Sequence, residues 1–450
     1  MRYAETGAGD SNAVQWAYDD KNNLSSLSQT LNGTNYTTSY TYDNDNRLTK
    51  ATQGSVPASY TYDGFSRLTK IQAKNGTTAV VTSNIGWQTP SSTATTAQVS
   101  TWGIDSPVNS VDKAYSYTYD GRGSILAVSD GSNTTSYVYD GLDQLVRENN
   151  QAAGKTWTYT YNAGGNITAK QEYAYTTGTL GAVLSTVNYG YGDSTWKDLL
   201  TSYNGQTITS DAIGNMTGDG TWTYNWQHGR QLASMTKSGA TVSYTYNTDG
   251  QRIKKTVSGG ISQTYTYLNG TLTNSTYGTT NLHYTYDSTG PSSVTYGSTK
   301  YFYLKNAQGD ILGLVDASGN QVVAYTYDAW GKILTATGSL AATLGKANPF
   351  RYRGYVYDEG TGPYYLQSRY YNPGMGRFIN ADNQLNNDML GNNMFTYCGN
   401  NPVKRHDDSG NTWQFVLASA AIGFVVGAAA KVITNISTEK NGPLVCWVLR

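Results

Sequence analysis

The sequence predicts an all-β protein made of stacked antiparallel β-hairpins. Its 450 residues include 40 Tyr and 49 Gly beside 7 Phe, and Tyr and Gly suit strands and tight turns better than helices. The chain also repeats itself: pairs of aromatic residues one residue apart, followed by Asp or Asn, return at intervals of 19 to 22 residues where copies are consecutive. A period of this length corresponds to one hairpin per repeat.

The copy at residues 60–69 shows how one unit is expected to fold. Tyr60 and Tyr62 stand at i and i+2, so they project from the same face of a strand. Asp63 is expected to cap the turn that closes this strand, with Gly64 supplying a positive φ. The next strand then returns antiparallel. Further aromatic pairs stand at Tyr40/Tyr42, Tyr117/Tyr119, Tyr137/Tyr139, Tyr159/Tyr161, Trp222/Tyr224, Tyr244/Tyr246, Tyr265/Tyr267, Tyr284/Tyr286 and Tyr325/Tyr327.

The aromatic stripe has two interpretations. An isolated hairpin is marginally stable, so the repeats must pack on one another, and a stripe carried by every repeat favours a packing device. The alternative is a cell-surface adhesion or carbohydrate-binding protein whose exposed Tyr and Trp faces hold a ligand. The two differ in whether the rings are buried between hairpins or line an open groove.

Charge and composition exclude several functions. Lys and Arg number 31 and Asp and Glu also 31, so the net charge is zero, and we expect no nucleic-acid binding by this region. Disorder is excluded because disordered chains are poor in aromatic residues. Two cysteines, Cys398 and Cys446, and three scattered histidines offer no disulfide framework, metal site or cofactor site.

The tyrosine repeat resembles that of the RHS/YD-repeat family over residues 16–410. The resemblance implies a curved or spiral sheet, here a partial shell, that encloses a C-terminal toxin or variable cargo in bacterial competition or secretion. It implies an exported or cell-surface protein that is cytoplasmic before export. Its partners would be its own cargo, an immunity protein and a secretion apparatus. We divide the chain into a hairpin array (1–345), a core region (346–410) and a variable C-terminal segment (411–450).

The core region carries the most specific motif. Arginines alternate with aromatic residues, which favours cation–π stacking, and the block resembles the RHS repeat-associated core. The motif residues are Arg351, Arg353, Tyr364, Tyr365, Arg369, Tyr370, Tyr371, Gly376, Arg377 and Phe378.

The resemblance also implies self-cleavage by two carboxyl groups at the end of the core. One carboxyl activates water while the other protonates the carbonyl, and matching the motif gives Asp382 and Asp407 as the candidates for these roles. The bond at risk joins Gly410 to Asn411. The sequence departs from the family at both motifs, for example by Asp408 in place of a proline, so we expect slow or absent cleavage. The alternative is that both aspartates only cap turns.

The last 40 residues, 411–450, are too few for a complete catalytic domain, so we expect no enzyme activity beyond self-cleavage. Residues 411–430 are uncharged and predict a short apolar helix that either packs inside the shell or contacts a membrane. Gly423 and Gly427 form a small-residue motif that favours helix contact. The first seven residues show no apolar signal-peptide region.

Overall fold

The structure, a computed structural model, describes residues 4–5, 14–31, 34–89, 96–107, 111–268, 270–384, 392–411 and 413–415. Nearly all of them belong to antiparallel strands or to the turns between strands. The all-β prediction is therefore confirmed. The helix predicted over residues 411–430 lies almost wholly outside the described residues.

Two large sheets, of 18 and 14 strands, form most of the molecule, and in both of them each strand pairs with the next strand along the chain. The 18-stranded sheet contains β1 (Ala4–Glu5), β2 (Val14–Tyr18), β3 (Leu24–Leu31), β4 (Thr34–Tyr42), β5 (Leu48–Gln53), β6 (Val56–Tyr62), β7 (Leu68–Asn75), β8 (Thr78–Trp87), β9 (Val99–Asp105), β10 (Lys113–Tyr119), β11 (Ile125–Ser129), β12 (Thr134–Tyr139), β13 (Leu145–Asn150), β14 (Lys155–Tyr161), β15 (Ile167–Ala174), β16 (Ser185–Gly190), β17 (Ser202–Tyr203) and β18 (Gln206–Thr207). The 14-stranded sheet contains β19 (Thr209–Ser210), β20 (Met216–Gly218), β21 (Thr223–Gln227), β22 (Gln231–Lys237), β23 (Ala240–Tyr246), β24 (Arg252–Val257), β25 (Gln263–Leu268), β26 (Thr271–Tyr277), β27 (Thr280–Asp287), β28 (Gly290–Tyr296), β29 (Thr299–Lys305), β30 (Ile311–Val315), β31 (Gln321–Tyr327) and β32 (Ile333–Thr337).

The rest of the chain forms short elements. Among the described residues there is one α-helix, α1, which the sequence did not predict, and no helix long and apolar enough to cross a membrane. These elements are α1 (Leu344–Ala347), 3-10 turns at Tyr352–Gly354 and Cys398–Asn400, the four-stranded sheet of β33 (Val356–Tyr357), β34 (Tyr364–Leu366), β35 (Arg369–Asn372) and β36 (Arg377–Phe378), and the pair β37 (Arg405–His406) and β38 (Gln414–Phe415).

In most repeats the second aromatic residue links its hairpin to the preceding one. The Tyr62 hydroxyl donates a hydrogen bond to the Leu48 carbonyl (2.8 Å), and Tyr161 does the same to Leu145 (2.6 Å). Both leucines begin the return strand of the previous hairpin. The same bond is made by Tyr42, Trp87, Tyr119, Tyr139, Tyr191, Trp226, Tyr246, Tyr286 and Tyr327. A repeated aromatic-to-backbone bond therefore holds the stack together. In the copy predicted at Trp222/Tyr224, Trp226 makes this bond, so Trp226 and not Tyr224 is the second aromatic residue there.

The turns are capped by the aspartate as predicted, but the positive φ lies elsewhere. One oxygen of Asp63 accepts hydrogen bonds from the backbone N–H groups of Phe65 (2.9 Å) and Arg67 (3.0 Å). The residue with positive φ is Ser66 (+61°), not Gly64 as the sequence suggested. The chain reverses just before the second capped N–H group, so the third residue after the aspartate takes the left-handed conformation.

Candidate functional site: the core segment and its boundary

Residues 346–410, here called the core segment, contact both large sheets. On the side of the 18-stranded sheet, the Tyr203 hydroxyl donates to the Gly374 carbonyl (3.0 Å) and Asn393 donates to Asn166 (2.7 Å). On the other side, rings of the 14-stranded sheet pack on rings of the core segment. Examples are Tyr284 against Phe350 (centroids 4.9 Å apart) and Tyr244 against Tyr370 (6.0 Å). The core segment is thus held between the tyrosine-bearing faces of the two sheets.

The four arginines of the motif are buried and stack on aromatic rings, which confirms the predicted cation–π packing. The guanidinium-to-centroid distances are 4.2 Å for Arg351 over Tyr325, 4.5 Å for Arg353 over Tyr352, 3.5 Å for Arg369 over Phe378 and 4.9 Å for Arg377 over Phe395. These arginines hold the segment together from within and do not form an exposed basic surface.

The tyrosines of the motif are buried as well and anchor one turn of the 14-stranded sheet. Tyr371 donates to the Trp330 carbonyl (2.7 Å) and Tyr364 to the Gly331 carbonyl (2.8 Å). Tyr365 and Tyr370 lie across the β34–β35 pair from one another, with ring centroids 5.3 Å apart. Gly376 has φ +66°, and a Cβ atom there would lie 3.0 Å from the Trp330 ring.

One ion pair between a sheet and the core segment was not foreseen from the sequence. Arg252 occupies the repeat position that is leucine or isoleucine in most other hairpins, and it is fully buried. Its guanidinium lies 2.6 Å from the Asp358 carboxylate and within 6 Å of the centroids of four tyrosine rings. Lys255 approaches the same carboxylate at 3.6 Å. The change from leucine to arginine was visible in the sequence, whereas its partner, 106 residues away, was not.

The structure brings the two candidate aspartates to one arginine. A single terminal nitrogen of Arg369 lies 2.9 Å from the Asp382 carboxylate and 3.2 Å from the Asp407 carboxylate. All three side chains are buried. The sequence placed Arg369 in the core motif but did not suggest that it would join these two carboxylates.

The other oxygen of each aspartate caps a turn. In Asp382 it accepts the N–H group of Gln384 (3.0 Å). In Asp407 it accepts the N–H groups of Gly410 (2.8 Å) and Asn411 (3.1 Å). Each aspartate therefore caps a turn, and both also contact the same arginine.

The Gly410–Asn411 bond lies against the same group. The Nε atom of Arg369 donates a hydrogen bond to the Gly410 carbonyl, and the Ser368 hydroxyl contacts Asn411 (3.0 Å). Burial raises the pKa of Asp407, although Arg369 and the N–H group of Gly410 act to lower it. A fraction of Asp407 therefore remains protonated at a higher pH than for an ordinary aspartate.

A cavity of about 410 Å³ lies beside this bond. Arg230 and Gln251 line it from the 14-stranded sheet, and Ser368, Arg369 and Asn411 line it from the boundary. Within the described part of the chain, no group of three or more His, Cys, Asp or Glu is placed to hold a metal ion.

Comparison with protein families matches residues 109–403 to the Teneurin YD-shell model. The chain belongs to the Teneurin YD-shell family. Solved structures share this fold: the complex TcdB2-TccC3-Cdc42 superposes on 92% of the chain with a TM-score of 0.61 at 18% identity, and the Photorhabdus luminescens Tc holotoxin pore on 90% with 0.55 at 19%. The chain corresponds to 24% and 21% of those chains.

Relatives in sequence are also longer than this YD-shell chain. The tRNA nuclease WapA of Bacillus subtilis strain 168 is 36% identical over 293 residues, which are 63% of the chain and 12% of the relative. Double-stranded DNA deaminase toxin A of Burkholderia cenocepacia is 40% identical over 70 residues, or 15% of the chain and 5% of the relative. The YD-shell chain therefore spans a small part of the length of these relatives.

The burial of the tyrosine that stands first in each aromatic pair, here called the first tyrosine, bears on the adhesion alternative. Most of the rings that stand first in an aromatic pair of the YD-shell are buried and so closed to an external glycan. Buried first tyrosines are Tyr60, Tyr117, Tyr159, Tyr224, Tyr244, Tyr265, Tyr284 and Tyr325. Their position weighs in favour of the packing interpretation.

Proposed function

We propose that the chain is a section of an RHS-type YD-shell that encloses and presents a C-terminal toxin cargo in interbacterial competition or secretion. The observation that carries the proposal is the placement of the core segment between the two sheets, with its boundary at Gly410 leading to the residues that follow. The similarity to a tRNA nuclease and to a DNA deaminase toxin supports a toxic cargo. An exported or cell-surface location and an immunity partner follow from the same proposal.

Electron microscopy of the purified chain tests the shell. If the proposal is correct, the micrographs should show a curved particle in which the two sheets surround the core segment. A solid sandwich, with the two sheets packed directly on each other and the core segment outside, would contradict it. Protease protection of the core segment in the same preparation is the expected companion result.

The boundary can support hydrolysis of the Gly410–Asn411 bond. Arg369 polarises the Gly410 carbonyl, which stabilises the oxyanion that forms when water attacks the carbonyl carbon. In the proposed step Asp382 takes a proton from the water and Asp407 gives one to the Asn411 nitrogen as the C–N bond breaks. The products are a Gly410 carboxylate and an Asn411 amine.

We expect this reaction to be slow. Both carboxylates are paired with Arg369, so transfer of a proton to Asp382 would weaken one of these ion pairs. The Asn411 N–H group also donates to Asp407, so the nitrogen must turn before it can accept a proton. A geometric misfit of about 1 Å costs on the order of 100-fold in rate.

Mass spectrometry of fresh and aged protein tests cleavage. A fragment that begins at Asn411 should accumulate slowly, and Asp407→Asn should abolish it, since asparagine keeps the capping oxygen but has no acidic proton. Asp408→Asn is the matched control. The Asp408 side chain is half-exposed and lies near His406 (3.9 Å), whereas Arg369 is paired with Asp407. A chain that stays uncut over days would leave Asp382 and Asp407 as turn caps.

A further inference from the structure

The turn over residues 328–332, here called the junction turn, is held from two directions. It follows β31 in the 14-stranded sheet, and its buried Trp330 packs near Tyr159 of the other sheet, with centroids 5.6 Å apart. Three of its carbonyls accept hydroxyl hydrogen bonds from the core segment: Ala329 from Tyr352 (3.0 Å), Trp330 from Tyr371 (2.7 Å) and Gly331 from Tyr364 (2.8 Å).

The 18-stranded sheet holds the junction turn through two charged residues. Lys170 of β15 lies 2.9 Å from the Asp328 carboxylate. One oxygen of Glu148, in β13, accepts the N–H group of Ala329 (3.0 Å), and the other accepts the amide of Asn150 (3.2 Å). Glu148 is 1% exposed and Asp328 3% exposed. This cluster is thus a buried contact between the two sheets at the turn that also anchors the core segment.

The cluster contains two carboxyl groups and one ammonium group, so it is neutral only when one carboxyl keeps its proton. Burial, reinforced by the nearby Asp328 carboxylate, raises the pKa of Glu148 to about 8. The hydroxyls of Tyr137, Tyr159 and Tyr203 also face the cluster, and burial raises the pKa of each of them above 10. They stay neutral over the pH range in which Glu148 titrates.

We propose that Glu148 is a proton-controlled latch that fastens the 18-stranded sheet to the junction turn when protonated and loosens this contact when ionised. Ionisation places two carboxylates against one ammonium in a site that is closed to solvent. The loosened turn then holds the three core-segment tyrosines less firmly. The latch would thereby couple the pH to the closure of the shell around its core segment.

The direction of the effect follows from proton linkage. Glu148 in the unfolded chain has an ordinary pKa near ~4.3, so between that pH and about 8 the folded protein holds a proton that the unfolded chain lacks. Stability is therefore greatest below the unfolded pKa and is lost as the pH rises to 8, after which it levels off. The unfolding constant rises up to about tenfold per pH unit.

Urea unfolding of the full chain between pH 6.5 and pH 8 tests the latch, since ordinary carboxyl groups are already ionised throughout this window. The wild-type unfolding constant should rise about 15-fold across it, whereas Glu148→Gln, which mimics the protonated form, should show no such rise. Glu172→Gln is the control: this carboxyl is part-exposed in β15, its pKa is lowered by Lys155, and its substitution should leave the wild-type slope unchanged. If the unfolding constant changes with pH equally in the wild type and in Glu148→Gln, the proposal is overturned.

Hydrogen exchange locates the effect. In the wild type, the amide exchange rates of residues 321–337 should rise with pH more steeply than those of residues 240–257. The latter residues lie in the same sheet but away from the latch. In Glu148→Gln the two regions should respond alike. A uniform response in the wild type would overturn the proposal even if the stability slope were present, and the wild-type measurement decides alone if the variant does not fold.

Discussion

Replacing Arg252 by leucine tests how the core segment is attached to the 14-stranded sheet. The variant restores the residue found at this position in other hairpins, such as Leu48 and Leu145, so the new side chain suits the repeat. It leaves Asp358 buried at 1% exposure, with Lys255 at 3.6 Å as its remaining cationic partner. Breaking a buried ion pair in this way costs about 3–5 kcal/mol.

We expect Arg252→Leu to lower the free energy of unfolding by about 3 kcal/mol. This is the lower end of the range for a broken buried ion pair, because Lys255 remains as a partner of Asp358. Urea unfolding measures the loss. Lys155→Leu is the matched control: the Lys155–Glu172 pair has the same 2.6 Å separation as Arg252–Asp358, but its side chains are 37% and 29% exposed. That variant should lose less than about 1 kcal/mol.

A double-mutant cycle with Asp358→Asn completes the test. Because the two residues share one buried interaction, the double variant should cost at least about 2 kcal/mol less than the two single losses together. A loss below about 1 kcal/mol for Arg252→Leu, or additive losses in the cycle, would refute the argument that this pair attaches the core segment to the sheet.

Three further outcomes follow from the same structure and can be measured by urea unfolding. Tyr161→Phe should cost about 1 kcal/mol, because the Leu145 carbonyl loses its donor from the next hairpin. Gly376→Ala should cost about 1–3 kcal/mol, since the added methyl meets a buried tryptophan ring at a positive φ, whereas Gly64→Ala has open space and should be nearly neutral. Burial lowers the pKa of His283 to about 4, so the stability that this histidine contributes should fall by up to about 1.4 kcal/mol per pH unit as the pH drops from 6.5 to 4, and it is measured as the difference in free energy of unfolding between the wild type and His283→Gln at each pH.

The sequence predicted the parts of the fold that depend on neighbours along the chain. The spacing of Tyr60 and Tyr62 and the cap by Asp63 are local properties, and hairpins and turn caps follow from them. The alternation of arginine and aromatic residues likewise predicted the stacking within the core segment. Local rules were less accurate about the turn itself, where Ser66 rather than Gly64 takes the positive φ.

Features that depend on tertiary contacts were not predictable. The bond from Tyr161 ends on a backbone carbonyl, which leaves no trace in residue identity. Asp358 and Arg252 meet only after the core segment packs on the sheet, and Arg369 joins two carboxylates that are 25 residues apart in the sequence (382 and 407). Residue types indicated which side chains carry charge, whereas the fold determines which charges meet.

Hydrogen exchange of the intact chain tests most directly whether the core segment lies enclosed between the two sheets. The strands of this segment, β34 and β35, are three and four residues long, and such short strands exchange quickly when they face solvent. Enclosed as described, residues 364–372 should exchange as slowly as the long strands β6 to β8. Exchange of residues 364–372 at the rate of an open loop, with β6 to β8 still protected, would contradict the enclosed position and with it the proposed shell.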